Sequence, residues 1–370
     1  MPALDGIRGI AILLVLVAHF VGAYEPISPR GQTVFNVLRS GWCGVDLFFV
    51  LSGFLITGIL FDTKAAPNFF RAFYMRRFLR IFPLYYALLL LWFGVLGTFA
   101  ARFGWDPHAI GRDRQGWYWL YLSNWMLPAG EPVGAIAHLW SLAVEEQFYL
   151  AWPLLVWLVP RRHTAKMCLV LVVVVFGLRL SLSLAGVSSD AIYEWTITRL
   201  DSLAMGGLLA VCLRDRRLYG AVTRSWKPLL ATSALTLAGI GAYYGRLHFH
   251  DRALVWIGYS ALALFSAGLI AVAVLADENA RSVRLLTWLP LRGFGRYSYG
   301  IYVIHFPLFC IVQQRLMQSK WKPPMQTPLG YALFMIVGIA VTYALAALSW
   351  HLFEKRILAW KRHFVARGPA

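Results

Sequence analysis

The sequence predicts an all-α membrane protein, a polytopic bundle of about ten transmembrane helices. Apolar residues make up 59% of the 370 residues and charged residues only 14%, whereas soluble proteins carry about a quarter charged residues. The mean hydropathy is +0.61, and the apolar residues form runs of the kind that cross a bilayer. No sustained polar region interrupts them, so a single membrane domain is expected over residues 1–370.

Ten apolar runs define the expected helices. Several are shorter than the roughly 20 residues that a bilayer requires, notably the first and the sixth, so these helices are expected to be tilted or partly re-entrant. The Trp- and Tyr-rich stretch 116–127 fits an interfacial helix better than an eleventh span. The ten runs are 8–23, 44–60, 82–101, 139–159, 167–184, 199–213, 229–244, 253–275, 299–314 and 329–352.

The basic residues are distributed unequally between the two sides of these spans. Of the 35 Lys and Arg residues, 23 fall on the side that holds both termini, 11 fall on the other side, and Arg179 lies inside a span. The positive-inside rule therefore predicts that both termini are cytoplasmic and that residues 355–370 form a basic cytoplasmic tail. The net charge of +18 is then a topology signal and a surface for anionic membrane lipids, and nucleic acid is not expected as a partner.

The first span carries two ionisable residues on one face. Arg8 and His19 are eleven residues apart, which is about three helical turns and roughly 16 Å. Arg8 is therefore expected near the membrane surface and His19 near the centre of a hydrocarbon core about 30 Å thick. Ionisable groups at that depth are costly and usually functional.

The second span combines a carboxylate with a small polar pair. In GVDLFFVLSGFLI (44–56), Asp46 precedes Ser52 and Gly53, at which another helix or a ligand can approach closely. Ser52 is not expected to be a nucleophile, because Val50 stands where a GxSxG elbow has its first Gly.

The third span begins with an arginine cluster. Within FYMRRFLRIFPLYY (73–86), Arg77 and Arg80 are spaced i,i+3 and share a face at the expected cytoplasmic mouth. Two guanidinium groups on one face suit phosphate groups, which they bind through forked, charge-assisted hydrogen bonds. Binding of lipid headgroups is the alternative interpretation.

The fourth span, within HLWSLAVEEQFYLAWP (138–153), carries Glu145 with Tyr149 at i+4 on the same face. A carboxylate at this place could orient an imidazole, anchor an acceptor hydroxyl or pair with an arginine. Arg199 and Asp201 begin the sixth span at its expected extracytoplasmic end. Each buried charged group needs a partner, so pairing between helices is the alternative to a functional role.

The last polar residue of this set is His305, two residues before Pro307 in YSYGIYVIHFPLF (297–309). A lone helical histidine is more often a hydrogen-bonded packing residue than a functional one. The four cysteines are far apart and form no CxxC motif or metal-ligand spacing, so they are expected to be packing residues and no metal site is predicted.

Taken in order, six motifs resemble those of the acyltransferase-3 family, bacterial ten-helix membrane acyltransferases that modify polysaccharides, lipid-linked sugars, antibiotics and peptidoglycan. The resemblance runs from Leu4 to about Glu354, and Lys355 departs from the Pro that many relatives have there, which weakens any role for Glu354. The motifs are LDGIRGIAILLVLVAHF, GVDLFFVLSGFLI, FYMRRFLRIFPLYY, HLWSLAVEEQFYLAWP, TRLDSLAMGGLLA and YSYGIYVIHFPLF.

The resemblance implies a membrane O-acyltransferase of the bacterial inner membrane. The donor would be acyl-CoA, in the simplest case acetyl-CoA, used as a co-substrate without a tightly bound cofactor. The acceptor would be a hydroxyl of a cell-surface glycan, a lipid-linked sugar or a small molecule. By resemblance, His19 is the catalytic residue and Arg8 belongs to the donor-binding cytoplasmic mouth, where Arg77 and Arg80 would also bind CoA phosphates. Glu145 would orient His19 or the acceptor, and the candidates for the acceptor side or for helix pairing are Asp46, Ser52, Tyr149, Arg199, Asp201 and His305.

Two mechanisms and one rival function are compatible with the sequence. His19 could act as a general base toward the acceptor hydroxyl or as a nucleophile that forms an acyl-imidazole. A proton-coupled transporter would also use buried His, Asp and Glu, but it predicts inverted internal repeats, and the sequence shows none. The acceptor, the acyl length and the oligomeric state are left open.

Overall fold

A computed structural model describes residues 1–22, 29–97, 112–126, 134–318 and 327–366. Within these ranges the chain forms helices and no strand, which confirms the predicted all-α class. The helices are α1 (Pro2–Val21), α2 (Pro29–Arg39), α3 (Gly44–Thr63), α4 (Phe69–Leu89), α5 (Gln115–Trp119), α6 (Ser123–Met126), α7 (Trp140–Leu158), α8 (Arg161–Leu184), α9 (Ser189–Glu194), α10 (Thr196–Cys212), α11 (Arg216–Tyr244), α12 (Tyr259–Leu275), α13 (Arg281–Leu286), α14 (Leu289–Gln318), α15 (Pro328–Ser349) and α16 (Lys355–Leu358).

In the described ranges, six helical stretches are long and apolar enough to cross a membrane. A seventh is possible if α9–α10 and α11, which bend by 118° at a short break, count as one span. The runs predicted at 139–159 and 299–314 fall on α7 and α14, whose polar side chains keep them outside this set. Parts of four predicted segments lie outside the described ranges. They are residue 23 of the first span, residues 98–101 of the third span, residue 127 of the interfacial stretch and residues 367–370 of the tail. The six are Pro2–Val21, Gly31–Thr63, Phe69–Leu96, Arg161–Leu184, Leu254–Leu275 and Pro328–His363.

Helices α3 and α10 pack closely because small residues face each other across the contact. A Cβ added to Gly53 would overlap the carbonyl of Leu203, and a Cβ added to Gly206 would overlap the backbone of Val50. Such small-residue contacts let two helices approach to backbone distance. The prediction that another helix or a ligand approaches Gly53 closely is confirmed, and the occupant is a helix.

Helix α1 lies at the centre of the bundle and packs along α14 by the same device. A Cβ on Gly295 would overlap the carbonyl of Asp5, and one on Gly9 would overlap that of Leu291. The close contact holds the two helices in a fixed register. It thereby brings His19, near the end of α1, to the level of His305 in α14.

The segment that follows α15 returns to the start of α4. A π-helical turn (Trp350–Glu354), α16 and a 3₁₀ turn (Ala359–His363) continue the chain. The side chain of Asn68 donates a hydrogen bond of 2.9 Å to the carbonyl of Val365, and the Arg71 guanidinium lies 5.8 Å from the ring centroid of Phe364. The described part of the predicted tail therefore packs beside the arginine cluster of α4.

Candidate active site

A cavity of about 110 Å³ lies between α1, α3, α4, α7 and α14. Side chains such as Phe48 and Leu55 form its apolar wall. Six residues that were singled out in the sequence line it, although they come from four different helices: Arg8, Ser52, Arg77, Arg80, Glu145 and Tyr149.

Three arginines give this cavity a positive wall. Arg8 forms an ion pair of 2.8 Å with Asp5 and keeps 26% of its side chain exposed. Arg77 and Arg80 are half-buried, and within the described ranges neither forms an ion pair with a carboxylate. The Arg77 guanidinium lies 5.5 Å from the ring centroid of Tyr149. Two guanidinium groups without an acidic partner leave their hydrogen-bond donors available to an anion.

The carboxylate of the cavity comes from α7, and its hydroxyl groups come from α3, α7 and α14. The hydroxyls of Ser52 and Tyr149 form a short hydrogen bond with each other, which joins two helices beneath the arginines. Glu145 is half-buried in the same wall. The structure thus brings Glu145 together with the arginines and Tyr149, whereas the ring of His19 is hydrogen-bonded by a different residue.

That residue is His305. The Nδ1 atom of His19 lies 3.0 Å from Nε2 of His305, and the ring centroids are 5.0 Å apart. His305 is fully buried and His19 is half-buried. Two histidines 286 positions apart in sequence therefore form one hydrogen-bonded pair.

The partners of His305 determine which nitrogen of His19 is basic. Nδ1 of His305 lies 2.7 Å from the carbonyl oxygen of Tyr302 and 3.2 Å from that of Ile301. A carbonyl can only accept, so this Nδ1 carries the proton and Nε2 of a neutral His305 is an acceptor. His19 must then donate from Nδ1, which leaves Nε2 of His19 with its lone pair.

A third histidine adjoins the pair and was not selected from the sequence. The ring of His138 lies 5.1 Å from that of His305 and 5.3 Å from that of Phe306, and its side chain is only 4% exposed. Within the described ranges, no group of His, Cys, Asp and Glu side chains is arranged to hold a metal ion. The signal in the sequence was a histidine at the start of HLWSLAVEEQFYLAWP, the motif that also carries Glu145.

Four other charged residues form buried ion pairs away from the cavity. The side chain of Arg199 donates a short hydrogen bond to Asp46, and Arg179 donates to Asp201 at 2.6 Å and to Ser260 at 2.7 Å. All four charged side chains are at most 1% exposed. The Arg199 guanidinium also lies 4.5 Å from the ring centroid of Tyr259. These contacts join α3, α8, α10 and α12.

A further cation near the mouth was not selected from the sequence. Lys361, in the 3₁₀ turn after α16, is half-buried and within electrostatic range of Arg76, Arg77 and Arg80. From the sequence, Lys361 is expected in the basic tail. Its place beside α4 depends on the return of the chain, which the local sequence does not reveal.

Comparison with known proteins agrees with this arrangement of motifs. The profile of the acyltransferase-3 family, described as an acyltransferase domain, matches residues 1–347. The chain belongs to the acyltransferase-3 family. The family match covers all of the cavity residues and the three histidines, from α1 through α14.

Several curated proteins are similar to this chain over most of its length. The chain is 29% identical to YrhL of Bacillus subtilis, 28% to the peptidoglycan O-acetyltransferase OatA of Listeria monocytogenes and 26% to the O-acetyltransferase OatA of Staphylococcus aureus. Each alignment covers 96% of this chain and 55–57% of the relative. The chain thus spans a little more than half the length of these relatives. No solved structure matches it significantly.

Proposed function

We propose that this protein is an O-acetyltransferase of the bacterial cytoplasmic membrane that moves an acetyl group from acetyl-CoA to a hydroxyl of a cell-surface glycan. The observation that carries the proposal is the arginine-walled cavity at one end of α1 and a histidine with a free Nε2 lone pair near the other end. The names of the two OatA relatives support the acetyl group, and that of the Listeria protein supports a peptidoglycan-like acceptor.

The shape of the donor fits this separation of charge and base. Arg8 and His19 lie in one continuous helix, about 16 Å apart at 1.5 Å per residue. The phosphates of CoA cannot enter hydrocarbon at low cost, but the long pantetheine arm can carry a thioester toward the middle of the membrane. Arg8, Arg77 and Arg80 would hold the phosphates, and His19 would meet the thioester.

His19 can serve the transfer in two ways. As a base, its Nε2 takes the proton of the acceptor hydroxyl, the oxygen attacks the thioester carbonyl, the C–S bond breaks and the CoA thiolate takes up the proton. As a nucleophile, Nε2 displaces the thiolate and forms an acetyl-imidazole; the acceptor hydroxyl then attacks the acetyl carbon, the C–N bond to Nε2 breaks, and the hydroxyl proton passes to the CoA thiolate. In both routes His305 holds the His19 ring by accepting from Nδ1, a positioning role. Glu145 would anchor a polar group of donor or acceptor inside the cavity.

The arginine wall makes a direct prediction about donor binding. Replacing Arg77 or Arg80 with Ala should weaken binding of CoA by about 1.5–3 kcal/mol, since each change removes a charge-assisted contact, which is roughly a 10- to 150-fold higher Kd. Titration of CoA into the full-length protein in lipid nanodiscs measures this change. Lys361→Ala should weaken binding in the same direction.

Arg76→Ala is the matched control, because Arg76 is exposed on the same helix and does not line the cavity. Its CoA affinity should stay close to that of the wild type. Equal affinities for CoA in all of these variants, together with weaker association with anionic lipid, would favour the lipid-headgroup interpretation of the cluster.

We further propose ten spans with both termini in the cytoplasm, since the split of 23 to 11 basic residues supports that orientation. Reporter fusions on either side of α11 test it. A fusion after Arg216 should report the cytoplasm and a fusion after Asp251 the periplasm. The same compartment at both positions would contradict the topology.

A further inference from the structure

His138 is a buried histidine that neither lines the arginine-walled cavity nor takes part in the His19–His305 hydrogen bond. Its side chain is 4% exposed, and apart from weak contacts with the carbonyls of Tyr302 and Val303 its ring nitrogens have no hydrogen-bond partner among the described residues. A buried polar group without a partner destabilises the folded protein. Such a group is expected to meet a partner in the working protein.

The surroundings of His138 indicate which kind of partner is missing. The backbone carbonyls of Tyr302 and Val303 lie beside its ring, and Val303 has no helical donor because Pro307, four residues later, lacks an N–H group. The ring nitrogen that faces these carbonyls must carry the proton. The other nitrogen of the neutral ring then has a lone pair, which requires a hydrogen-bond donor.

His138 also lies where an acceptor would have to be held. Its ring and that of His19 each lie about 5 Å from the ring of His305, and both contact Phe306. The hydroxyl of Tyr302, which lines the donor cavity, donates to the carbonyl of His138 at 2.9 Å. The ring therefore packs against the partner of the basic residue, within electrostatic range of His19, and the backbone of His138 is bonded to a residue of the cavity wall.

We propose that His138 is an acceptor-binding residue whose unprotonated nitrogen accepts a hydrogen bond from a glycan hydroxyl next to the one that is acetylated. The reacting hydroxyl is thereby left to Nε2 of His19. This inference rests on the proposed acetyl transfer. In it, His138 is the residue that makes the site prefer a polyhydroxyl acceptor over water or lipid.

The test uses the full chain in nanodiscs and the disaccharide of N-acetylglucosamine and N-acetylmuramic acid as the probe. His138→Phe keeps a ring of similar size without the nitrogen, and His138→Gln keeps a hydrogen-bond acceptor. We expect His138→Phe to raise the Kd for the disaccharide, measured without donor, about tenfold or more, because a buried hydroxyl is left unpaired. The Kd for CoA should be unchanged, and His138→Gln should bind the disaccharide nearly as the wild type does.

Three results would overturn the inference. They are wild-type affinity for the disaccharide in His138→Phe, equal loss in the Phe and Gln variants, and a loss of CoA binding and thermal stability that parallels the loss of disaccharide binding. The proposed function fails separately. A wild-type protein that binds the disaccharide but releases no CoA thiol from acetyl-CoA would refute acetyl transfer while the binding ratio of the variants is still measured.

Discussion

Replacement of His19 with Ala should abolish acetyl transfer while CoA binding largely persists. The base or nucleophile is lost, but the phosphates are held at the Arg8 end of α1, about 16 Å away. His19→Gln, of similar size and polarity, should be equally inactive, because an amide can neither take a proton nor carry the acetyl group. Release of CoA thiol and equilibrium binding of CoA, measured on the same preparation, separate the two effects.

The control for this prediction is the thermal stability of each variant, since the His19–His305 hydrogen bond joins two central helices. A folded His19→Gln protein with near-normal transfer would refute the catalytic assignment. Donor-derived label that is trapped on the wild type and lost in His19→Gln would favour the acetyl-imidazole route over direct attack.

The second large effect concerns the buried pair of Asp46 and Arg199. Asp46→Leu should lower the free energy of unfolding by about 3–5 kcal/mol, because it leaves the Arg199 charge buried without its partner. Both side chains are 0% exposed and lie in an apolar interior, where an unpaired charge is especially costly. Thermal unfolding in detergent, followed by a probe of tertiary structure, measures the change.

The double variant Asp46→Leu/Arg199→Met decides between helix pairing and an acceptor role. Removing both charges at once leaves no uncompensated group, so most of the stability should return. A stable double variant with normal acetyl transfer supports helix pairing. A stable double variant that binds CoA but does not transfer would instead place Asp46 or Arg199 in the acceptor site.

The sequence was sufficient to predict which residues share a face of one helix, because that follows from helical geometry. The face shared by Arg8 and His19, and that shared by Arg77 and Arg80, depend only on the 3.6-residue turn. The shared face of Glu145 and Tyr149 follows from the same geometry, whereas their place in one cavity with Arg77 and Arg80 was not expected from the sequence. The long apolar runs were enough for the all-α class, because only helices and closed barrels satisfy the backbone within a bilayer and uninterrupted apolar runs are typical of the helices.

Contacts between side chains that are far apart in the sequence could not be predicted from helical geometry. Arg199 and Asp46 are 153 positions apart, and His305 and His19 are 286 apart, so the small-residue packing that joins their helices decides both pairings. Glu145 was considered as a partner for His19, but the register between α1 and α14 gives that place to His305. His138 was not selected from the sequence, because its place beside His305 depends on a segment far along the chain.

Acetyl transfer from labelled acetyl-CoA to the soluble glycan disaccharide by the purified full-length protein tests the central claim most directly. We expect the label to appear on the glycan as an alkali-labile ester, with one CoA thiol released for each acetyl group transferred. Both signals should vanish in His19→Gln and persist in Arg76→Ala. A folded wild-type protein that neither binds CoA nor releases its thiol would contradict the assignment of the arginine-walled cavity and of His19.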